Sequence, residues 1–173
     1  MVFGVGFEAP VHAQGSAIRA LVVGDSITWW NPTYAGYGPA FVRKFEARGL
    51  GAAEWRSEPG SSPCSAPWAT WIRDYPEEQI DVVVLEDDYR TGACSSTDAW
   101  RLAWQDTVNA AKSKGAYVIV LEGTHPDLSS VSGIDILDYP VPPPDWGDGV
   151  HYSSGGYKLY ARSVVNLLDF LAG

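Results

Sequence analysis

The 173-residue sequence is short of several things, and each shortage excludes a class of protein. It holds three His and two Cys, and no His sits near either Cys, so the material for a zinc-type ligand cluster is missing. Basic residues are scarce: 12 Lys plus Arg stand against 21 Asp plus Glu, for a formal charge of −9. A nucleic-acid backbone would be repelled on average, and no basic stripe overrides that. No run approaches the ~18 apolar residues that a membrane-spanning helix needs, so no membrane insertion is expected of this chain. There is no phosphate loop, dinucleotide fingerprint, internal repeat or low-complexity segment. Neither a metal ion nor an organic cofactor is implied.

What is present has ordinary globular composition, 46% hydrophobic and 19% charged, which excludes intrinsic disorder. The length fits one domain, large enough to bury roughly 70% of its unfolded surface. Residues 1–16 (MVFGVGFEAPVHAQGS) carry no positive charge and no sustained apolar run. Val11-His12-Ala13 resembles the end of a secretory signal, without the regions that precede one. The segment reads as a cut-back signal, a stem leading out of a larger protein, or a tail with no part in the fold. The domain is placed at 17–173.

Cys64 and Cys94 lie 30 residues apart, in segments rich in Ser, Pro and Gly. Free Cys is usually buried, whereas these flanks read as surface loops, so a disulfide is expected over two free thiols. A disulfide implies an oxidising compartment.

Ile18 to Val23, Ala52 to Ser57, Asp81 to Leu85 and Ala116 to Leu121 read as strands, the third being the clearest. Residues 38–48, 66–74 and 98–114 read as helices, with Gly49 and Gly115 as stops and Ser96 or Thr97 as a cap. A long loop is expected over 122–150. A last helix then opens at Ser153 or Ser154 and buries Leu159, Val164, Leu167, Leu168 and Leu171. Apolar strands alternating with amphipathic helices imply a mainly parallel sheet covered on both faces. Ligands of such sheets bind beyond the carboxyl ends of the strands.

The first strand runs into Gly24-Asp25-Ser26. A serine there is held at the rim of the sheet, although a helix-capping serine would look the same. Near the other end, Asp148-Gly149-Val150-His151 precedes the last helix. A carboxylate three residues ahead of a histidine can fix the ring and leave its other nitrogen to take a proton from a serine. By itself the pair reads first as a solvated His beside a helix start.

Together the two ends resemble the SGNH (GDSL-type) hydrolases, over about residues 18–171. The resemblance implies a flavodoxin-like three-layer α/β/α sandwich with a mainly parallel sheet. It also implies Ser26 as nucleophile, His151 as general base and acid, and Asp148 as the orienting carboxylate. Gly60, in Glu58-Pro59-Gly60-Ser61, matches the family glycine whose backbone N–H joins that of Ser26 in the oxyanion hole. In the family the loops bearing Cys64 and Cys94 converge on that hole, so their bond would brace it.

The third family block departs from its pattern. Where Gly-x-Asn-Asp is expected the chain reads Leu85-Glu86-Asp87-Asp88-Tyr89-Arg90, with no asparagine to donate to the oxyanion. Losing one such donor typically costs ~100–1,000-fold in rate. Three readings stay open. Asp87 or Asp88 stays protonated and donates; both turn away to pair with Arg90 while two backbone donors suffice; or the site is crippled.

Eight Trp are many for this length. Trp29, Trp30 and Trp146 stand near the proposed catalytic residues and fit substrate walls, and His125 fits the pocket lining or a turn. Trp68, Trp71, Trp100 and Trp104 fit core positions. The expected function is an extracytoplasmic serine esterase acting on a short acyl ester or an acylated glycan, as a monomer. Two alternatives are acyl transfer to a surface glycan and a non-catalytic glycan-binding module. SGNH domains of this type also occur fused to membrane acyltransferases that modify surface polysaccharides, a partner that the stem-like N-terminus would permit.

Overall fold

The computed structural model describes residues 17–25, 28, 36–76, 80–86, 94–121, 128–137 and 153–172. Its strands are β1 (Ile18–Gly24), β2 (Gly51–Ser57), β3 (Val82–Glu86), β4 (Tyr117–Leu121) and β5 (Ile136–Leu137). They form one sheet in the order β2-β1-β3-β4-β5, with every pairing parallel. The helices are α1 (Tyr37–Ala47), α2 (Trp68–Arg73), α3 (Thr97–Ser113) and α4 (Ser154–Ala172).

Alternation along the strands divides the core into two layers. Leu21, Val23, Val83, Leu85, Val118 and Val120 face α2 and α3. Ala20, Val22, Val82, Val84, Ile119 and Leu121 face α1 and α4. All five residues of β3 are buried, as a central strand covered on both faces requires. On the edge strand β2, by contrast, Ala52, Glu54 and Arg56 are exposed, and a Glu54–Arg56 ion pair lies along it at 3.1 Å. Charge along an edge discourages pairing with another sheet. The result is the expected three-layer α/β/α sandwich.

Ser96 Oγ accepts from the Ala99 N–H at 3.1 Å and caps α3, and Ser153 Oγ accepts from the Gly156 N–H at 3.1 Å to cap α4. Gly49 and Gly115 follow α1 and α3 with φ of 70° and 78°, a conformation that stops a helix at little cost only for glycine. Trp68, Trp100 and Trp104 meet in the α2/α3 layer, with ring centroids 5.9 and 6.0 Å apart for the two pairs made by Trp104. Trp71 is half-buried against the same cluster. Of the four tryptophans expected in the core, Trp68, Trp100 and Trp104 are buried there, and Trp71 only packs against them.

Two expectations need correction. Leu159 is 46% exposed, because the buried stripe of α4 runs through Tyr157, Tyr160, Ala161, Val164, Val165 and Leu168. At 100° per residue Leu159 falls on the opposite side of that stripe. The segment expected as one loop also holds structure: a 3-10 turn at Leu128–Ser130, then β5. Asp135 anchors that strand, its carboxylate accepting from the Val118 N–H at 2.6 Å and from Lys112 Nζ at 2.5 Å.

Candidate active site

The strand order reverses between β1 and β3. The chain leaves β1 toward β2 on one side, and β3 joins on the other. In open α/β sheets the crevice outside the carboxyl ends at such a switch point is where ligands bind. The residues there are Gly24 at the end of β1, Asp25 directly after it and Glu86 at the end of β3. Asp25 is buried, as are Glu86 and Thr28.

Thr28 Oγ1 donates a hydrogen bond to Glu86 Oε2. Gly24 makes room for it: a Cβ there would fall 2.1 Å from Thr28 Oγ1 and 3.0 Å from Glu86 Cβ. Glu86 continues the row of Val82 and Val84, on the α1/α4 side of the sheet. Taking a carboxylate out of water costs several kcal/mol, and the Thr28 hydrogen bond, worth about 1.5–3 kcal/mol when made to a charged group, is one of the interactions that offset it. Burial alone would select another apolar residue at that position. Tyr37, fully buried at the start of α1, feels the same carboxylate. Burial first and the charge of Glu86 second push its phenol well above the ordinary 10.0, so it stays neutral.

The turn after β2 closes the other side. The Ser61 N–H donates to the Glu58 carbonyl at 3.0 Å, and Gly60 has φ 71°. Pro59 and Gly60 occupy the two central positions that a type II turn favours for them. Gly60 is exposed, while the next residue, Ser61, is buried. Ser61 Oγ accepts from Trp68 Nε1 at 3.1 Å and lies 3.5 Å from the Gly24 carbonyl. The glycine read as an oxyanion donor is thus coupled through its neighbour to the end of β1. Four residues on, Cys64 is disulfide-bonded to Cys94, as expected.

Ser26, Asp148 and His151 lie outside the described residues, as do Asp87, Asp88, Trp29, Trp30, Trp146 and His125. Of the carboxylates in the altered third block, Glu86 belongs to the strand and is bonded to Thr28. No motif in the sequence marks Thr28 or Ser61, whereas Tyr37 stands among the aromatics that follow Ser26 along the chain. One signal was available, since Glu86 is a charged residue where the alternation of Val82 and Val84 calls for an apolar one.

A groove of about 490 Å3 beside the disulfide is lined by Pro63, Cys64, Pro67, Cys94, Ala99 and Asp106. It opens between α2 and α3 rather than over the ends of β1 and β3, and it pairs no acid with a base. Among the described residues no group of three His, Cys, Asp or Glu could hold a metal ion, and no helix is long and apolar enough to cross a membrane.

No protein-family model matches the sequence, nor does any curated protein. Solved structures do match the fold. The structure of TesA superposes with a TM-score of 0.66 at 18% identity, over 88% of this chain and 99% of that one. A protein named as a GDSL-like lipase from Parabacteroides merdae matches with a TM-score of 0.60 at 16% identity, over 89% and 96%. The salicylyl-acyltransferase SsfX3 from a tetracycline biosynthetic pathway matches at 0.58 and 12% identity, over 91% of this chain and 56% of its own. The fold is that of the SGNH/GDSL-type hydrolases, in agreement with the resemblance carried by the sequence motifs.

Proposed function

We propose that this protein is an extracytoplasmic serine esterase acting on short acyl esters, including acyl groups carried on a glycan. One observation carries the reading: β1 ends with Gly24 at the switch point of the sheet, the sequence runs on from it into Asp25-Ser26, and Asp148-x-x-His151 stands a few residues ahead of α4 along the chain. In this mechanism His151 takes the Ser26 hydroxyl proton as Oγ attacks the ester carbonyl carbon. Asp148 holds the imidazole in the tautomer that can accept it. The backbone N–H groups of Ser26 and Gly60 receive the negative charge on the carbonyl oxygen. The tetrahedral species collapses, His151 protonates the departing alcohol, and the acyl group stays on Ser26 until water, deprotonated by His151, releases it. Asp87 and Asp88 turn from the oxyanion to pair with Arg90, and the two backbone donors suffice. Trp29, Trp30 and Trp146 wall the substrate site, and His125 lines it. The Cys64–Cys94 disulfide is compatible with an oxidising, extracytoplasmic setting.

Transfer of the acyl group to a sugar hydroxyl is the second reading, favoured by the fold shared with a protein named as an acyltransferase. A fluorophosphonate probe tests the nucleophile. Labelling of the wild type that disappears in Ser26→Ala supports the proposal, and folded wild-type protein that resists the probe refutes it. Product analysis with and without a sugar acceptor then separates hydrolysis from transfer.

A further inference from the structure

We infer that Glu86 is a positioning residue for Ser26, acting through Thr28; the inference rests on the reading of Ser26 as nucleophile. Thr28 stands two residues after Ser26 and is held at two points. Its hydroxyl donates to Glu86 at the end of β3. Its carbonyl accepts the Gly38 N–H, in the first turn of α1, at 3.0 Å. Both contacts depend on glycine. A Cβ at Gly24 would fall 2.1 Å from Thr28 Oγ1, and one at Gly38 would fall 2.8 Å from the Thr28 carbonyl oxygen.

Asp25, on the other side of Ser26, is buried as well, so only Ser26 and Ile27 separate two buried residues. Anchoring Thr28 reduces the conformations open to that short segment. A nucleophile benefits because attack requires its oxygen close to the carbonyl carbon in one orientation, and a segment already ordered has less entropy to lose. An apolar side chain at position 86 would continue the Val82 and Val84 row but offer Thr28 no acceptor. Glu86 therefore links the two strand ends that flank the switch point.

The test uses the full chain and three variants. Thr28→Val keeps the shape and removes the donor, Thr28→Ser keeps the hydroxyl, and Glu86→Gln keeps an acceptor without the charge. Two quantities are measured: the rate constant for fluorophosphonate labelling, and amide hydrogen exchange of residues 24–30 relative to α3 and β4. Misplacement of a reacting group by about 1 Å can cost ~100-fold, so Thr28→Val is expected to label about 10–100-fold more slowly. Thr28→Ser should recover most of the rate, with Glu86→Gln between. Exchange of residues 24–30 should rise in the order Ser, Gln, Val while α3 stays protected.

Unchanged labelling and exchange in Thr28→Val overturn the inference, as does faster exchange spread evenly over the chain. A wild type that resists the probe removes the nucleophile, whereas the exchange comparison still decides whether Glu86 and Thr28 anchor this segment. If Thr28→Val does not fold, Glu86→Gln decides. Exchange confined to residues 24–30 supports the inference, and wild-type exchange there overturns it.

Discussion

Cys64 is bonded to Cys94, and the bond ties the loop leaving Gly60 to the segment that opens α3. Between them lie α2, β3 and the end of β3 that carries Glu86. In the chain-entropy account, closing a loop of this length stabilises the fold by about 3–4 kcal/mol. A Cys64→Ser/Cys94→Ser double variant is expected to lose about that much in urea unfolding. Mass spectrometry of the unreduced wild type should find no free thiol.

Tyr37 presents a different case, because its hydroxyl is buried and has no hydrogen-bond partner among the described residues. Deleting an unsatisfied buried polar atom removes a desolvation cost, so Tyr37→Phe is expected to be neutral or up to about 1 kcal/mol stabilising at pH 7. The pH dependence has a definite sign. The phenol ionises in the unfolded chain near 10.0 but only at higher pH in the folded protein. Its contribution is complete below that value and is lost as pH rises above it. Tyr117 is raised in the same direction, by partial burial and then by Asp135. Denaturation followed from pH 8 to 11 should therefore show stability falling in the wild type and falling less steeply in Tyr37→Phe.

Gly24→Ala would set a methyl group into the space that the Thr28 side chain occupies. Backbone and a buried threonine cannot both yield without moving the end of β1. Overpacking of this kind costs about 1–3 kcal/mol. Thermal unfolding should register that loss. By comparison, Gly49→Ala meets nothing within 4 Å and carries only the positive-φ penalty. It should cost about 1–2 kcal/mol and leave fluorophosphonate labelling intact.

Trp68→Phe keeps most of a buried ring and deletes the donor to Ser61 Oγ. Loss of that bond and of some packing should cost about 1–3 kcal/mol in denaturant unfolding. The effect on labelling should exceed that of Ser96→Ala, a cap variant expected to cost about 1 kcal/mol and distant along the chain from Gly60.

Much of the fold was legible in the sequence because its signals are local. Val82 to Leu85 is an apolar, β-branched run that water penalises wherever it is exposed, and in a parallel sheet such a run is buried on both faces. Ser96, Ser153, Gly49 and Gly115 act on their own backbone, so they mark helix ends without reference to the rest of the chain. β5 has no local signal in the sequence, for the converse reason. Two residues show no periodicity, and the strand exists because Asp135 bonds to Val118 and Lys112, partners distant in sequence. Leu159 faces outward because leucine alone does not set the angle of a helix; the Tyr157, Tyr160 and Val164 stripe does.

The sequence by itself determined an acidic composition poor in His, Cys and basic residues, and the alternation of apolar strands with amphipathic helices that marks an α/β domain. It also determined the order of the Gly24-Asp25-Ser26 and Asp148-x-x-His151 elements along the chain. Tertiary structure decided which distant residues meet. It bonded Cys64 to Cys94, drew Trp68, Trp100 and Trp104 into one layer, and joined Thr28 to Glu86 across the ends of two strands. The Cys64–Cys94, Trp68–Trp104 and Thr28–Glu86 contacts span 30 to 58 positions along the chain, and no local pattern encodes them. They follow from the crossover of a parallel sheet, which brings together residues that sequence distance separates.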